Sequence, residues 1–512
     1  MKTINNKIIV IVIALMTFSS CNDWLDVSPR TEVKEDVLFS TEDGYKRALT
    51  GAYILMAKTN LYGGSTTMYM PELLVRHWVI PSSLPTGASP IQIYRFGNHQ
   101  YTLEEAENYL NNIWINYYKV ITQLNDIIKH LEDNTQAKFE FQNDKIIMGE
   151  AIGLRAFLHL DILRFFGPVP VGNNHSEIAI PYVTEKTKDA VKLISIPYSE
   201  VIKNIEDDLN RAEQLLSGVD PILKYNNMTL NYYQYPETNL DLQDNWRWKR
   251  QDRFNYYACL GTKARFYQWI GDINKATECA KRVIEAVNGD NTSKFVLAAD
   301  PGENYNQVYA PGYNLTMYTE QLFGIHNPDM QNDIKSWFND GTNSLLSQAQ
   351  ATMNSIYEWT TVGSSDIRYR TSSADTRYWE LKTYSNGQLN QFKKFIGNDI
   401  IKTNNRVPLL RLAEMYLIMI ENLPLEEAAS YYSKFRIARA MDISTEQSSM
   451  ASETARKNRV ATEYRKDFFG EGQMFFFYKR LNYSTGIAPL NAVTFTNEKY
   501  VLPKPKNQIS FE

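Results

Sequence analysis

The chain has 512 residues, 43% of them apolar and 22% charged, which is enough to bury a sizeable core. A formal net charge of −4 disfavours a nucleic-acid partner, which calls for a clearly basic surface. Tyrosine (33) outnumbers phenylalanine (23), so many rings carry a polar tip suited to a half-wet position.

Met1 to Ser20 reads as an export signal. Lys2 and Lys7 precede an apolar run, Ile8 to Phe18, which is too short to span a bilayer. Ser19 and Ser20 then precede Cys21, the small-small-Cys ending at which a bacterial lipoprotein is cut and acylated, although Phe18 stands where such sites prefer Leu. Cys21 is the predicted lipidation site, and attachment through acyl chains alone is the expected membrane contact. Cys259 and Cys279 are the only other cysteines. Export would permit a disulfide, but their apolar helical surroundings favour two buried free thiols.

Helical periodicity dominates. Glu104 to Asp133 carries Tyr109, Ile113, Tyr117, Ile121, Leu124 and Ile128 on one face. Asn143 to Phe166 repeats the pattern and stops at Gly167-Pro168. Tyr198 to Leu216 follows. Arg253 to Ile270 and Ile273 to Val287 form a pair joined by Gly271-Asp272, with small Ala258, Ala264, Ala276 and Ala280 allowing close approach. Arg406 to Asn422 is apolar nearly all round and is predicted as one buried helix, with Arg411, Glu414 and Glu421 on its only polar face. These charges are expected to be paired inside the protein. Helices at Leu425 to Met441 and Ser448 to Phe469 complete the series.

Long ring-rich stretches without periodicity separate these blocks: 60–102, 221–245 and 300–343. Loops of that length in a compact chain are usually functional. Rings in such loops suit sugars, whose CH faces stack on Trp and Tyr, or peptides. The candidates are Trp78, Tyr94, Tyr313 and Trp337, chosen by loop location, with Arg76, Arg95, Asn98 and Gln100 as neighbouring polar groups. No pair of the six histidines has metal-ligand spacing, and no GxSxG, GxGxxG or phosphate loop occurs. His159, among Leu158, Leu160 and Ile162, reads as a core histidine. No catalytic residue, metal site or cofactor is predicted.

Together, several segments resemble the SusD/RagB family of Bacteroidetes surface lipoproteins, over nearly all of the chain after the signal. They are Cys21-Asn22-Asp23-Trp24-Leu25-Asp26 with Ala48 to Tyr53; Glu150-Ala151, Leu154-Arg155-Ala156 and Phe166-Gly167-Pro168-Val169-Pro170; Ala264-Arg265-Phe266-Tyr267 with Gly271-Asp272; Leu410 to Leu417; Glu463 to Arg480; and Leu502-Pro503. Met474 and Phe477 replace an Arg and an Asp usual in the family, which reads as packing rather than ligand chemistry.

The resemblance implies a mostly α fold: tetratricopeptide-like helical pairs as a scaffold (roughly 31–60, 103–290 and 406–440) and an irregular loop-rich lobe (roughly 61–102, 300–405 and 441–512), after a signal at 1–20. It implies a non-catalytic, lipid-anchored protein of the outer-membrane surface that hands glycans to a SusC-like TonB-dependent transporter. A RagB-like peptide binder and a protein-interaction scaffold are the alternatives.

Overall fold

The computed structural model describes residues 35–172, 175–187, 189, 193–226, 242, 244–298, 317–330, 332, 337–338, 345–359, 366, 368–369, 405–490 and 493–510, and the backbone at 379–380, 388–389 and 391–392. Cys21 and Tyr313 lie outside the described residues, as do most of 227–243 and 299–316.

The fold is mostly helical. Helix α1 (Glu42–Ala57) starts at Thr41, whose hydroxyl accepts the Gly44 N–H at 3.2 Å. It buries Tyr45, Ala48, Leu49, Ala52 and Met56, one face at steps of three and four. Helix α2 (Ala88–Gly97) precedes α3 (Glu104–Glu132), which buries Ile113, Tyr117, Ile121, Leu124 and Ile128 as the stripe predicts. Helix α4 (Asn143–Phe166) is buried on almost every face, because α1, α3 and α5 (Tyr198–Leu216) pack around it. It ends where predicted, with the Gly167 N–H returned to the Leu163 carbonyl.

Helices α6 (Tyr256–Ile270) and α7 (Ile273–Ile284) form the predicted hairpin. Gly271 takes φ 82°, a left-handed C-terminal turn, and the Asp272 carboxylate caps α7 through the Lys275 N–H at 3.1 Å. Ala258, Ala264, Ala276 and Ala280 are fully buried. Cys259 and Cys279 are buried free thiols. Burial pushes both up, Cys279 to about 11, which makes them unreactive.

The expected helix at 406–422 is corrected. Residues Arg406–Arg411 form a strand, β2, antiparallel to β1 (Gln321–His326), with Gly324 opposite Pro408 and Ile325 opposite Val407. Pro408 explains the change, since proline disfavours helix at itself and at the residue before. The apolar run is continuous because the strand is buried throughout. Helix α8 (Leu412–Asn422) begins one residue later. Helix α9 (Leu425–Ala438) follows. In place of the predicted helix 448–469 there are a short helix, Ser444–Ser449, and α10 (Glu453–Asp467), because Ser452 starts a new helix by accepting the Ala455 N–H. Helix α11 (Gln473–Leu481) buries Met474 and Phe477. The core runs continuously from Phe39 to Leu502, whose N–H reaches the Phe165 carbonyl at the end of α4.

The charges around α8 are paired, although not with one another; Arg411 and Glu414 are buried and Glu421 is half-buried. Glu414 receives two hydrogen bonds from Arg265, at 2.8 and 2.6 Å, and Glu421 is bonded by Arg480 at 2.8 Å. Arg411 bonds Glu471, Glu320 and Asp467. Asp467 also takes Arg368 and Arg439, so three fully buried guanidiniums share one carboxylate. This cluster ties β2, α9 and α10 together.

Candidate functional site

The first ring-rich stretch is more ordered than its sequence suggests. A π-helical turn (Ser65–Tyr69), a short helix (Met70–Leu74) and α2 occupy much of 60–102. It directly meets the segment that follows the third stretch. The Val79 N–H donates to the Ser347 carbonyl at 2.9 Å, and Gln348 Nε2 donates to the His77 carbonyl at 2.8 Å. Loops more than 250 residues apart thus converge.

Trp78 is corrected by this contact. Its ring is fully buried, edge-on to Phe338 at 5.1 Å and to Phe469 at 5.3 Å, and its indole N–H donates to the Met68 carbonyl at 2.8 Å. Tying 77–79 to 347–348 turns the indole inward, and its polar atom is satisfied there. Trp78 is a core residue with no face for a ligand.

Trp337, next to Phe338, stays half-buried. It stacks on Tyr69 with centroids 5.4 Å apart and planes 29° apart. Gly64 makes the approach possible, because a Cβ there would fall 2.1 Å from Cη2 of the indole. Tyr69 is itself buried and rests on Tyr109 at 5.6 Å; Tyr109 abuts Phe96 and donates to Ser65 Oγ at 2.7 Å. Burial holds the Tyr69 and Tyr109 phenols well above their usual range, so both are neutral. The result is a ledge: one half-exposed indole backed by a rigid stack of rings. Aromatic pairs of this kind contribute about 0.5–1.5 kcal/mol beyond their area.

Helix α2 flanks the ledge. The Tyr69 hydroxyl lies 3.5 Å from the Ser89 carbonyl at its start, and Tyr94 on the same helix is half-buried. The structure thus brings Trp337 and the helix of Tyr94 to either side of Tyr69. The polar neighbours expected to meet a ligand hold one another: Arg76 bonds the Gly97 carbonyl and Asn98 Oδ1, and Arg95 bonds Gln100 and Glu105. They fix the shape of α2 and its exit. Tyr69 and Gly64 escaped the candidate set; the one sequence signal is the pair Gly63-Gly64 ahead of a ring-bearing segment.

His159 is a core residue, as expected. It stacks on Tyr182 at 3.9 Å, its Nδ1 lies on the Arg155 carbonyl, its Nε2 accepts the Val183 N–H, and burial lowers it to about 3. Glu35, Asp126 and His130 bring ligand atoms within 4.8 Å of one another, but the Lys186 ammonium bonds both carboxylates, at 2.9 and 3.1 Å. A cation is thus already supplied by the chain.

The family model of SusD-like proteins described as "Starch-binding associating with outer membrane" matches residues 23–229. Among curated proteins, SusD-like protein P25 of Formosa agariphila is 21% identical over 342 residues, 66% of this chain and 54% of that protein. SusD-like protein P38 of the same organism is 25% identical over 221 residues, 43% of this chain and 39% of that protein. The chain spans about half or less of the length of these curated relatives. Among solved structures, a SusD superfamily protein from Bacteroides thetaiotaomicron superposes with a TM-score of 0.66 at 20% identity, covering 92% of this chain and 98% of that one. A laminarin-binding SusD-like protein superposes with a TM-score of 0.59 at 15% identity, over 92% and 98%. At such identities the structural likeness speaks for the fold.

Proposed function

We propose that this chain, which belongs to the SusD/RagB family, is a non-catalytic glycan-binding lipoprotein of the outer-membrane surface, and that it receives its ligand on the Trp337–Tyr69 ledge. The observation that carries the reading is the half-exposed indole backed by a buried tyrosine where two distant loops meet. A flat apolar ring that is partly accessible suits the CH face of a pyranose. The family description, starch binding in association with the outer membrane, and the laminarin-binding neighbour support a glycan over a peptide. Among the described residues no helix is long and apolar enough to cross a membrane; acylation of Cys21 is the proposed anchor. A SusC-like TonB-dependent transporter is the proposed partner, and delivery of glycan to it the proposed role. The loop-rich lobe is the proposed ligand lobe.

The test is calorimetric titration of the purified chain with laminarin, soluble starch and a mixed peptide pool. Saturable binding of a glycan and none of peptide is expected. Binding of peptide alone would replace this reading with the peptide-uptake one. For the anchor, Cys21→Ala should abolish incorporation of labelled fatty acid and release the protein from the membrane fraction; label persisting in the variant would count against Cys21.

A further inference from the structure

A second concave site lies away from the ledge and shares no residue with it. It is a cleft of about 620 Å³ between α1, the segment 245–253 and the end of β1. Helical spacing places Thr50, Tyr53 and Ile54 of α1 along one wall. Two short 3₁₀ turns, Asn245–Arg247 and Arg250–Asp252, carry Trp246, Trp248 and Asp252 to the other. Asp244 sets the first turn by accepting the Trp246 N–H at 3.0 Å.

Among the buried polar atoms here that lack a hydrogen-bond partner, donors outnumber acceptors. The Tyr53 hydroxyl is committed, donating to Glu150 at 2.6 Å and accepting the Phe254 N–H at 2.8 Å. Glu150 is also bonded by Arg250. Arg253 lies 4.5 Å over the Trp246 ring, and its Nη1 stands 3.6 Å from Glu150, beyond hydrogen-bond length. Of the lining residues, buried Arg253 Nη1 and Trp246 Nε1 are donors with no hydrogen-bond partner and Asp252 Oδ1 is an acceptor with none; behind the lining, Arg406 ion-pairs with Asp252 through Nε and leaves its Nη1 without a hydrogen bond. Three of these four atoms are N–H donors, and buried donors without acceptors are rare in native proteins. A wall of rings with surplus donors and a ring-stacked guanidinium fits a ligand that is apolar on one face and carries an unprotonated acceptor on its edge.

We infer that this cleft is a second glycan site, selective for an acidic sugar unit whose carboxylate or sulfate meets Arg253 while its ring lies against Trp246, Trp248 or Tyr53. The inference goes beyond the ledge and rests on none of its residues.

The test is calorimetry of the full chain with trigalacturonate, a sulfated carrageenan tetrasaccharide and uncharged maltotriose. Trigalacturonate, the sulfated sugar or both should bind at least tenfold tighter than maltotriose, and whichever binds identifies the acidic group. Arg253→Gln should weaken that binding at least tenfold. Because Arg253 also packs, Ile54→Glu is the second variant: Ile54 is 58% exposed, so the fold should be unchanged while a carboxylate at the mouth repels the ligand. Trp337→Ala should leave this binding intact while reducing binding at the ledge, so the two sites fail independently. Equal binding of charged and uncharged sugars would overturn the inference. So would indifference to Ile54→Glu, or loss of acidic-sugar binding in Trp337→Ala.

Discussion

Asp467 and Trp337 each anchor a place where distant parts of the chain meet, yet the joins differ in kind. Around Asp467, Arg368, Arg411 and Arg439 are all fully buried, and Asp366, Glu320, Glu463 and Glu471 pair with them. Around Trp337 the contacts are rings and a missing side chain at Gly64, and the indole is left half-exposed. A buried ion network has few alternative arrangements, because any displaced charge is left unsolvated. A ring stack at an edge tolerates change and leaves its outer ring partly accessible. The comparison separates what holds this protein together from what it can offer a ligand.

The largest effect should come from the network. Asp467→Asn removes the carboxylate shared by three arginines and should lower unfolding free energy by about 3–5 kcal/mol, measured by urea denaturation. A loss below about 1 kcal/mol would show that the arginines find other partners. The network also sets the acid response. Burial opposes ionisation of Glu463, but Arg368, Lys466 and Arg459 outweigh it and hold its pKa at about 2. Asp467 is likewise held far below the usual carboxylate range against burial, by Arg439, Arg411 and Arg368. Depressed folded-state values mean that the unfolded chain binds more protons below about pH 4.5, so this stabilisation is present above that pH and is lost as pH falls toward 2. The urea midpoint should fall over that window, and fall less steeply in Asp467→Asn.

Close behind is Trp78→Ala, a truncation in the core, with an expected cost of about 3–5 kcal/mol. A melting temperature within a degree of wild type would return Trp78 to the surface and to the list of ligand contacts. The smallest stability change should come from Gly64→Ala. The added methyl displaces the Trp337 ring and leaves the core alone, so stability should change by about 1 kcal/mol or less while glycan affinity drops. Unchanged affinity with a shifted ring would show that the indole position does not matter.

How much of this was legible in the sequence follows from the range of the signals. Helices α3, α4 and the α6–α7 hairpin declare themselves because their apolar spacing and Gly stops are local. Strand β2 was hidden because a doubly buried strand and a buried helix show the same apolar run; Pro408 was the one local clue. That Arg411 and Glu414 must be paired was legible from their apolar setting. Their partners were not, since Arg265 lies 149 residues from Glu414 and Asp467 lies 56 from Arg411. The same limit governs the rings. Trp78 and Trp337 look alike as loop tryptophans, and only the pairing of Val79 with Ser347 turns one inward. The cleft beside Trp246 had no sequence signature, because its walls come from three separate segments.

The most direct test of the account is Trp337→Ala, read by calorimetric titration with laminarin and soluble starch and by thermal melting on the same preparation. The account predicts that affinity for the bound glycan falls about 30-fold, the effect of losing about 2 kcal/mol at a binding hot spot, while the melting temperature moves by no more than a few degrees. Affinity equal to wild type in a folded variant, or a loss that only tracks unfolding, would contradict it.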